Sequence, residues 1–234
     1  MVPDHDLHVH TYLSACCGDK ERQRPAAILA LAERMRLRTI GFSDHVWAHP
    51  TNAPNDWYRP QDECQIARLR ADLAPLTSPV RVLVGCETDM SAPGIFGLTQ
   101  AFAEQLDFVL LSCNHFHIRD FVAQPRSNAP RDLADHILAF FHSAVASGLP
   151  TAIAHPFITL GYIEQYDATL AAMSDAEMLD ALGAAAAHDV AIEITTAFIP
   201  KPHAPQFSIE TPLRFLALAK QAGCRFTLAT DAHA

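Results

Sequence analysis

Short apolar runs alternate along the chain with longer segments in which apolar residues recur at helical spacing. This alternation is typical of βα units and predicts a mainly parallel sheet. The apolar runs predict seven strands, at residues 7–10, 39–42, 80–85, 108–113, 151–154, 190–195 and 225–230. Seven successive βα units in one chain favour a barrel or a closed-over sheet.

The segments between these runs predict helices. Pro25 opens a stretch of strong helix formers that continues to Met35, and proline is favoured in the first turn of a helix. The same reasoning predicts helices at residues 60–73, 97–105, 130–146, 174–188 and 210–222. Residues 47–60 hold three prolines and two tryptophans and predict a long loop. Since no internal repeat, low-complexity tract or linker divides the sequence, we expect one domain over residues 1–234.

Length and composition agree with this architecture. Single-domain α/β barrels commonly have about 200–250 residues, and this chain has 234, of which 50% are hydrophobic. Its formal net charge is −9, and an acidic surface disfavours non-specific binding to nucleic acid and to anionic membranes. No apolar run approaches the ~18 residues of a membrane span, and no targeting segment is visible. We therefore expect a cytoplasmic protein whose six cysteines are reduced.

Side chains of the metal-binding type stand at the carboxyl ends of the predicted strands. Six of the seven strands end in such a residue, and α/β barrels build their active sites at that end from several strands. His8 and His10, like Asp231 and His233, are two residues apart and therefore point to one face. Any single residue could be a helix cap, a turn residue or a buried polar group. Their joint occurrence favours a cluster of imidazoles and carboxylates that binds Zn, Mn or Fe.

The other histidines, at positions 5, 49, 136, 142, 188 and 203, lie away from these strand ends and are interpreted as surface or packing residues.

The strand-end motifs, taken in order, resemble the PHP (polymerase and histidinol phosphatase) superfamily over essentially the whole chain. They are Asp-Leu-His-Val-His-Thr at 6–11, Gly-Phe-Ser-Asp-His at 41–45, Gly-Cys-Glu at 85–87, a strand-end His, Ala-His-Pro at 154–156 and Thr-Asp-Ala-His at 230–233. The resemblance implies a distorted (β/α)7 TIM-like barrel of the PHP type. It also implies two to three divalent metal ions in a cleft at the rim, and phosphoester hydrolysis.

The resemblance assigns ligands to each metal. The first would be held by His8, His10, Glu87 and Asp231, the second by Glu87, His115 and His155, and the third by His45 and His233. The family usually has one more ligand of the third metal after the His-X-His pair, where this chain offers Cys16, Cys17 and Asp19. Cys16 lies at the sequence distance closest to that of the family's ligand, and its thiolate would favour zinc. Asp19 is chemically closer to the ligand that the family usually has. The two cysteines could equally be packing residues. His117 is an alternative to His115, which we favour because it follows the strand more closely.

The expected activity is hydrolysis of a small-molecule phosphomonoester, with histidinol phosphate as the leading substrate. Two metals sharing Glu87 would acidify a bridging water to hydroxide and hold the phosphoryl oxygens. We expect Asp231 to take the proton of that water, His233 to act near the phosphate, and Asp6 to orient a histidine from behind. A phosphate clamp would come from basic loop residues, for which the candidates are Arg22, Arg24, Arg59, Arg119 and Lys201.

Alternatives remain open. A PHP-type nuclease acting on phosphodiesters would need a basic groove, which the 17 Lys and Arg residues do not form in the sequence. A catalytically defective PHP protein and, less favoured, a metal-dependent C–N hydrolase are the others. The partner expected is a small phosphate ester, with no nucleic acid and no membrane, and the sequence does not predict an oligomeric state.

The last predicted strand is followed by only a few residues, whereas each earlier strand precedes a helix that covers its outer face. We expect that the natural chain continues, or that a neighbouring subunit or the first helix covers that face.

Overall fold

The computed structural model describes residues 4–200 and 207–233. Its strands are β1 (His5–Val9), β2 (Thr39–Phe42), β3 (Arg81–Val84), β4 (Cys86–Ala92), β5 (Ile95–Phe96), β6 (Val109–Ser112), β7 (Ala152–Ile153), β8 (Ala191–Thr195) and β9 (Phe226–Ala229). Its α-helices are α1 (Pro25–Arg34), α2 (Cys64–Leu73), α3 (Gln100–Ala103), α4 (Pro130–Ala146), α5 (Tyr166–Ala172), α6 (Asp175–Ala187) and α7 (Glu210–Gln221). Short 3-10 turns cover Ile163–Gln165 and Thr196–Phe198.

The strands form two sheets, and a closed barrel is not confirmed. One sheet is parallel in the order β1-β2-β3, and the other has the order β5-β4-β6-β7-β8-β9, with only β5 antiparallel to its neighbour among the described strands. At one junction the chain passes from β3 to β4 through Gly85. At the other, β9 lies beside β1, and one isolated bridge between Val9 and Ala232 connects them. The fold is mixed α/β with parallel sheets whose hydrogen bonding is interrupted at these two places.

At Gly85 the chain changes from pairing with β2 to pairing with β6. The N–H of Gly85 still bonds to Phe42 of β2, at 2.9 Å, whereas the next residue, Cys86, pairs with Val109 of β6. A Cβ at Gly85 would lie 2.5 Å from the backbone oxygen of Phe108, so only glycine allows this approach. The sequence pattern ended a strand at residue 85 and missed β4. It did so because β4 carries buried polar residues instead of an apolar run.

Most predicted helices are confirmed. α1, α4, α6 and α7 agree with prediction to within one or two residues, but α2 begins four residues later than expected and α3 is a single short turn. α5 and the β4–β5 hairpin were not predicted. A larger hydrophobic core packs α4, α6 and α7 on the six-stranded sheet, and a smaller core packs α1 and α2 on the other. No helix in the described ranges is long and apolar enough to cross a membrane.

An apolar groove of about 950 Å³ lies between α1 and the ends of β8 and β9. Leu31, Met35 and Ile199 on its edges are 44%, 55% and 60% exposed. Leu228 and Ala229 of β9 line it. Part of β9 therefore lines an open groove whose other side is formed by α1. The expected continuation of the chain, or cover by a neighbouring subunit, stays a prediction.

Candidate metal centre

One oxygen of Glu87 faces the first group of side chains. Glu87 lies in β4 and is 1% exposed. Its Oε2 is 3.2 Å from Nε2 of His8, 3.3 Å from Nε2 of His10 and 3.3 Å from Nδ1 of His45. Oδ1 of Asp231 lies 3.3 and 3.4 Å from the same nitrogens of His8 and His10. The ends of three strands, β1, β2 and β9, thus bring potential ligands to one side of a single carboxylate.

The other oxygen of Glu87 faces a second group. Oε1 lies 3.1 Å from Nε2 of His155 and 3.7 Å from Nε2 of His115. Ser112, at the end of β6, donates a short hydrogen bond to the same oxygen. The carboxylate therefore stands between two sets of imidazole nitrogens, each of which could hold a metal ion together with it.

A third group lies beside the first. Ligand atoms of His10, Cys16, His45 and His233 all lie within 4.8 Å of one another. The ring of His10 stacks with those of His45 and His233, with centroids 4.6 and 4.5 Å away. Burial raises the pKa of the Cys16 thiol, but hydrogen bonds with the three histidines outweigh burial and lower it to about 4. Three imidazoles and a thiolate are a ligand set that suits zinc.

Of the three alternatives for the extra ligand, the structure brings Cys16 into this group. Oδ1 of Asp19 instead accepts hydrogen bonds from the backbone N–H groups of Glu21 and Arg22, at 3.1 Å each. Cys17 belongs to none of the potential ligand groups found among the described residues.

His115, not His117, contributes to the second group. The two rings are 5.1 Å apart, but His117 is exposed and lies at the mouth of the cavity. Although the residue as a whole is exposed, protein atoms surround part of its ring, and this partial burial, followed by the charge of His115, lowers the pKa of His117 to about 4.

Carboxylates behind two of the histidines fix which ring nitrogen faces Glu87. Nδ1 of His8 lies 2.8 Å from Oε2 of Glu193, and Nδ1 of His115 lies 2.9 Å from Oδ2 of Asp89. An ionised carboxylate only accepts, so each Nδ1 donates, and Nε2 of a neutral ring keeps its lone pair.

Two further histidines have neutral hydrogen-bond partners, which likewise fix the ring nitrogen that faces Glu87. Asn114 donates from its amide nitrogen to two backbone oxygens, so its Oδ1 accepts from Nδ1 of His155 at 3.0 Å. Ser14 donates to Asp44, so its hydroxyl oxygen accepts from Nδ1 of His10 at 3.2 Å. Both rings therefore also direct Nε2 towards Glu87.

These orientations fit bound cations. In the neutral rings, the lone pairs on Nε2 of His8 and His10 face each other across 3.1 Å, with the Glu87 carboxylate beside them. Nδ1 of His45 is buried and has no hydrogen-bond partner among the described residues. A set of converging acceptors without a donor is the arrangement expected of metal ligands.

The pKa shifts of the buried carboxylate and imidazoles also favour bound cations at this site. Burial raises the pKa of Glu87, but the facing imidazoles of His45 and His8 outweigh it and hold that pKa well below its usual value. Burial lowers the pKa of His8, but the charges of Glu193 and Glu87 raise it well above its usual value. The carboxylates thus attract positive charge, either as protons on the histidines or as cations, and metal binding would release protons.

Two of these residues have strained backbones. His155 and Asp231 have φ angles of +30° and +54°, in the left-handed region that non-glycine residues rarely adopt. The backbone N–H of His155 donates to Oε1 of Glu193 at 2.9 Å, and that of Asp231 donates to the oxygen of His8 at 2.9 Å. These bonds hold both side chains at the end of the sheet despite the strain.

No role was predicted for Glu193, and the role predicted for Asp6 is wrong. Glu193 orients His8 and also bonds the backbone of His155, a role that its position between Ile192 and Ile194 in an apolar strand could have signalled. Asp6 does not contact a histidine ring. It accepts from the hydroxyl and the N–H of Thr230, at 2.6 and 3.1 Å, and so joins the ends of β1 and β9.

The cavity above these groups has a volume of about 550 Å³. We call its metal-binding side the floor, which is lined by Cys16, His45, Glu87, His115, His155, Asp231 and His233. We call its remaining lining the wall, which consists of Trp57, His117, Ile118 and Leu160.

The basic residues considered for a phosphate clamp do not line this cavity within the described ranges; they are Arg22, Arg24, Arg59 and Arg119. Arg119 stacks on the ring of Tyr162, 4.8 Å from its centroid, and donates to the backbone oxygen of Gly161. Arg59 pairs with Asp56 on the surface. Lys201 lies outside the described residues.

Among solved structures, the chain is similar to the histidinol phosphate phosphatase from Lactococcus lactis, which was crystallised with zinc, L-histidinol and phosphate. The TM-score is 0.59 at 18% identity, over 100% of this chain and 87% of that one. The likeness shows that this chain shares the overall fold of that phosphatase. An uncharacterised protein gives a TM-score of 0.46 at 12% identity, over 99% of this chain and 65% of the other. No protein-family model matches the chain, and no curated protein matches it.

Proposed function

We propose that this protein is a metal-dependent phosphoesterase that hydrolyses a small-molecule phosphomonoester. The observation that carries this proposal is the position of Glu87, whose two oxygens face separate imidazole groups at the floor of an open cavity. A carboxylate shared by two cations is a recurring arrangement in enzymes of phosphoryl transfer. The PHP-like fold, shared with a phosphatase crystallised with zinc, supports the same reading.

We propose the following ligands. The first cation would be held by His8, His10, Glu87 and Asp231, the second by Glu87, His115 and His155, and the third by Cys16, His45 and His233, beside His10. Imidazole and carboxylate ligands suit Zn, Mn and Fe, and the thiolate of Cys16 favours zinc in the third position.

Bound cations would supply Lewis acidity that neutralises phosphoryl oxygens and makes water a stronger acid. The residues of the chain would do the rest. Asp231 stands at the edge of the cavity, its side chain 24% exposed, and would accept the proton of the attacking water. His233, whose ring is 36% exposed, would contact the phosphate. In the reaction the water oxygen bonds to phosphorus, the ester bond breaks, and its electron pair stays on the alcohol oxygen, which takes up a proton.

Histidinol phosphate is the first ester to test, because the Lactococcus lactis protein of similar fold was crystallised with L-histidinol and phosphate. That substrate and a cytoplasmic location stay predictions for this chain. The cavity lining within the described residues contains neither Lys nor Arg, which does not favour the alternative of a nuclease acting on long anionic strands.

The test is metal analysis joined to phosphate release. Protein purified without chelator, then reconstituted separately with Zn, Mn and Fe, should bind two to three ions and release phosphate from small monoesters. It should lose that activity on dialysis against a chelator and regain it when metal returns. Binding of less than one ion per chain after reconstitution, with no phosphate release, would refute the proposal.

A further inference from the structure

In the proposed reaction, the wall of the cavity would contact the alcohol part of the substrate. A phosphate bound at the floor leaves its ester group pointing into the remaining space, which the wall encloses. Of the four wall residues, Trp57, Ile118 and Leu160 are apolar and partly exposed, and His117 is exposed. The leaving group would therefore meet mainly apolar surface.

Trp57 is fixed next to the floor. Its indole meets the ring of His45 edge-on, with centroids 4.9 Å apart, and meets Tyr58 in the same way at 4.7 Å. Tyr58 is fully buried and anchors the loop. An aromatic side chain held in this position offers apolar surface to the cavity next to the floor.

A second part of the wall is also held by close packing. Leu160 precedes Gly161, which has a φ of +92° and passes so close to His117 that a Cβ would lie 2.8 Å from its backbone nitrogen. The loops that carry Leu160 and Ile118 are thus packed backbone to backbone. Their apolar side chains have a defined place and are part of a preformed pocket.

Among the described residues, the wall has no carboxylate that could pair with a charged leaving group. Within the same ranges, the only carboxylates of the lining are Glu87 and Asp231, both on the floor and both facing histidines. An ammonium group moved from water to this wall would lose hydration without gaining an ion pair. An aromatic ring in the same place would bury apolar surface against Trp57.

We infer that the ester which this site hydrolyses best carries an apolar, preferably aromatic, alcohol group without an amine. This inference rests on the proposed phosphoesterase function and narrows its substrate class. Histidinol phosphate, which has an aromatic ring but also an amine, would then be a poorer substrate than its amine-free counterparts.

Three esters test this in the metal-loaded full chain: 3-phenylpropyl phosphate, phenylalaninol phosphate, which has the same carbon skeleton plus an amine, and glycerol 3-phosphate. We expect kcat/KM to be about tenfold or more higher for 3-phenylpropyl phosphate than for either of the others. The amine withdraws electrons and makes a better leaving group, so the expected preference cannot come from intrinsic reactivity. A wild-type preference for phenylalaninol phosphate or glycerol 3-phosphate overturns the inference and leaves the phosphoesterase function standing.

Substitutions in the wall test which residues cause the preference for the apolar ester. Trp57→Ala should lower the ratio of kcat/KM for 3-phenylpropyl phosphate to that for glycerol 3-phosphate about tenfold, and Trp57→Phe should retain most of it. Leu160→Ala should lower the same ratio severalfold, and Leu213→Ala, at a 50% exposed position of α7, is its matched control. An unchanged ratio in a folded Trp57→Ala or Leu160→Ala protein contradicts the inference.

If none of the three esters is hydrolysed, the proposed function fails for these compounds, and binding then decides the inference independently. Calorimetry would compare 4-phenylbutylphosphonate, in which CH2 replaces the ester oxygen, with its 3-amino derivative. We expect the amine-free compound to bind at least about tenfold more tightly. Equal affinities, or tighter binding of the amine, overturn the inference.

Discussion

The floor and the wall of the cavity are built from different residues and held in different ways. Glu87, His115 and His155 on the floor are buried polar side chains at strand ends. Trp57 and Leu160 on the wall are half-exposed apolar side chains on loops. Under the proposed function, the floor would determine which reaction occurs and the wall would determine which alcohol is accommodated. Substitutions in the two regions should therefore have separable effects.

The largest expected effect comes from the centre of the floor. Glu87→Gln would remove the charge that two cations share, so we expect loss of bound metal and a fall in kcat of more than about a hundredfold, exceeding the usual cost of losing an outer partner of a ligand. Elemental analysis and phosphate release measure both. Glu164→Gln, on an exposed turn, is the matched control and should behave as wild type. Near-normal activity of Glu87→Gln would show that the shared carboxylate is not essential.

The next largest effect is expected from a residue that lies outside the cavity lining and orients residues of the metal centre. Glu193 never reaches the cavity lining, yet it orients His8 and the backbone of His155. Glu193→Gln should weaken metal binding about 10–100-fold, as loss of such an outer partner typically does. High metal concentrations should restore most of the activity, since Glu193 is a positioning residue. Loss of activity that no metal concentration rescues would contradict this role.

A smaller effect is expected from the third group. Cys16→Ser should remove about one zinc ion per chain and leave the two beside Glu87, because Cys16 belongs to that group alone. Cys17→Ser is the natural control, since the neighbouring thiol lies outside all three groups. Equal zinc content in the two variants would place the third ligand elsewhere.

The smallest expected effect concerns the stability of the wall. Gly148 and Gly161 both have left-handed backbones, with φ of +70° and +92°, but only Gly161 has atoms within 4 Å of a Cβ position. Alanine in the left-handed region costs about 1–2 kcal/mol, and Gly161→Ala must also displace the backbone of His117. Urea unfolding should show a larger loss of stability for Gly161→Ala than for Gly148→Ala. Equal losses would mean that the wall loops are not tightly packed.

The floor was predictable from sequence to a large extent, because polar residues directly after apolar runs mark strand ends. Glu87, His115 and His155 of the floor, and His8 and His10 beside Glu87, were found in this way, and the structure brings them together. The resemblance supplied their grouping. Their roles as ligands stay predictions until a metal is observed.

Other features depend on contacts that no sequence pattern reveals. Cys16 could not be separated from Cys17 and Asp19, because its position depends on a loop held by Asp44, which accepts bonds from Thr11 and Ser14. The candidate arginines were chosen by charge alone, and the structure pairs them with surface groups instead. Barrel closure likewise depends on how strand edges meet, which the apolar pattern does not specify.

The proposed function depends most directly on two cations sharing the carboxylate of Glu87. The decisive measurement is a crystal structure of the zinc-loaded protein with anomalous diffraction recorded at the zinc edge. The account predicts one peak between Glu87 and the pair His8 and His10, and a second between Glu87 and the pair His115 and His155, with carboxylate and imidazole ligands about 2.0–2.2 Å from each ion. A fully loaded crystal with no peak beside Glu87, or with a single ion bound by only one of its oxygens, would contradict it.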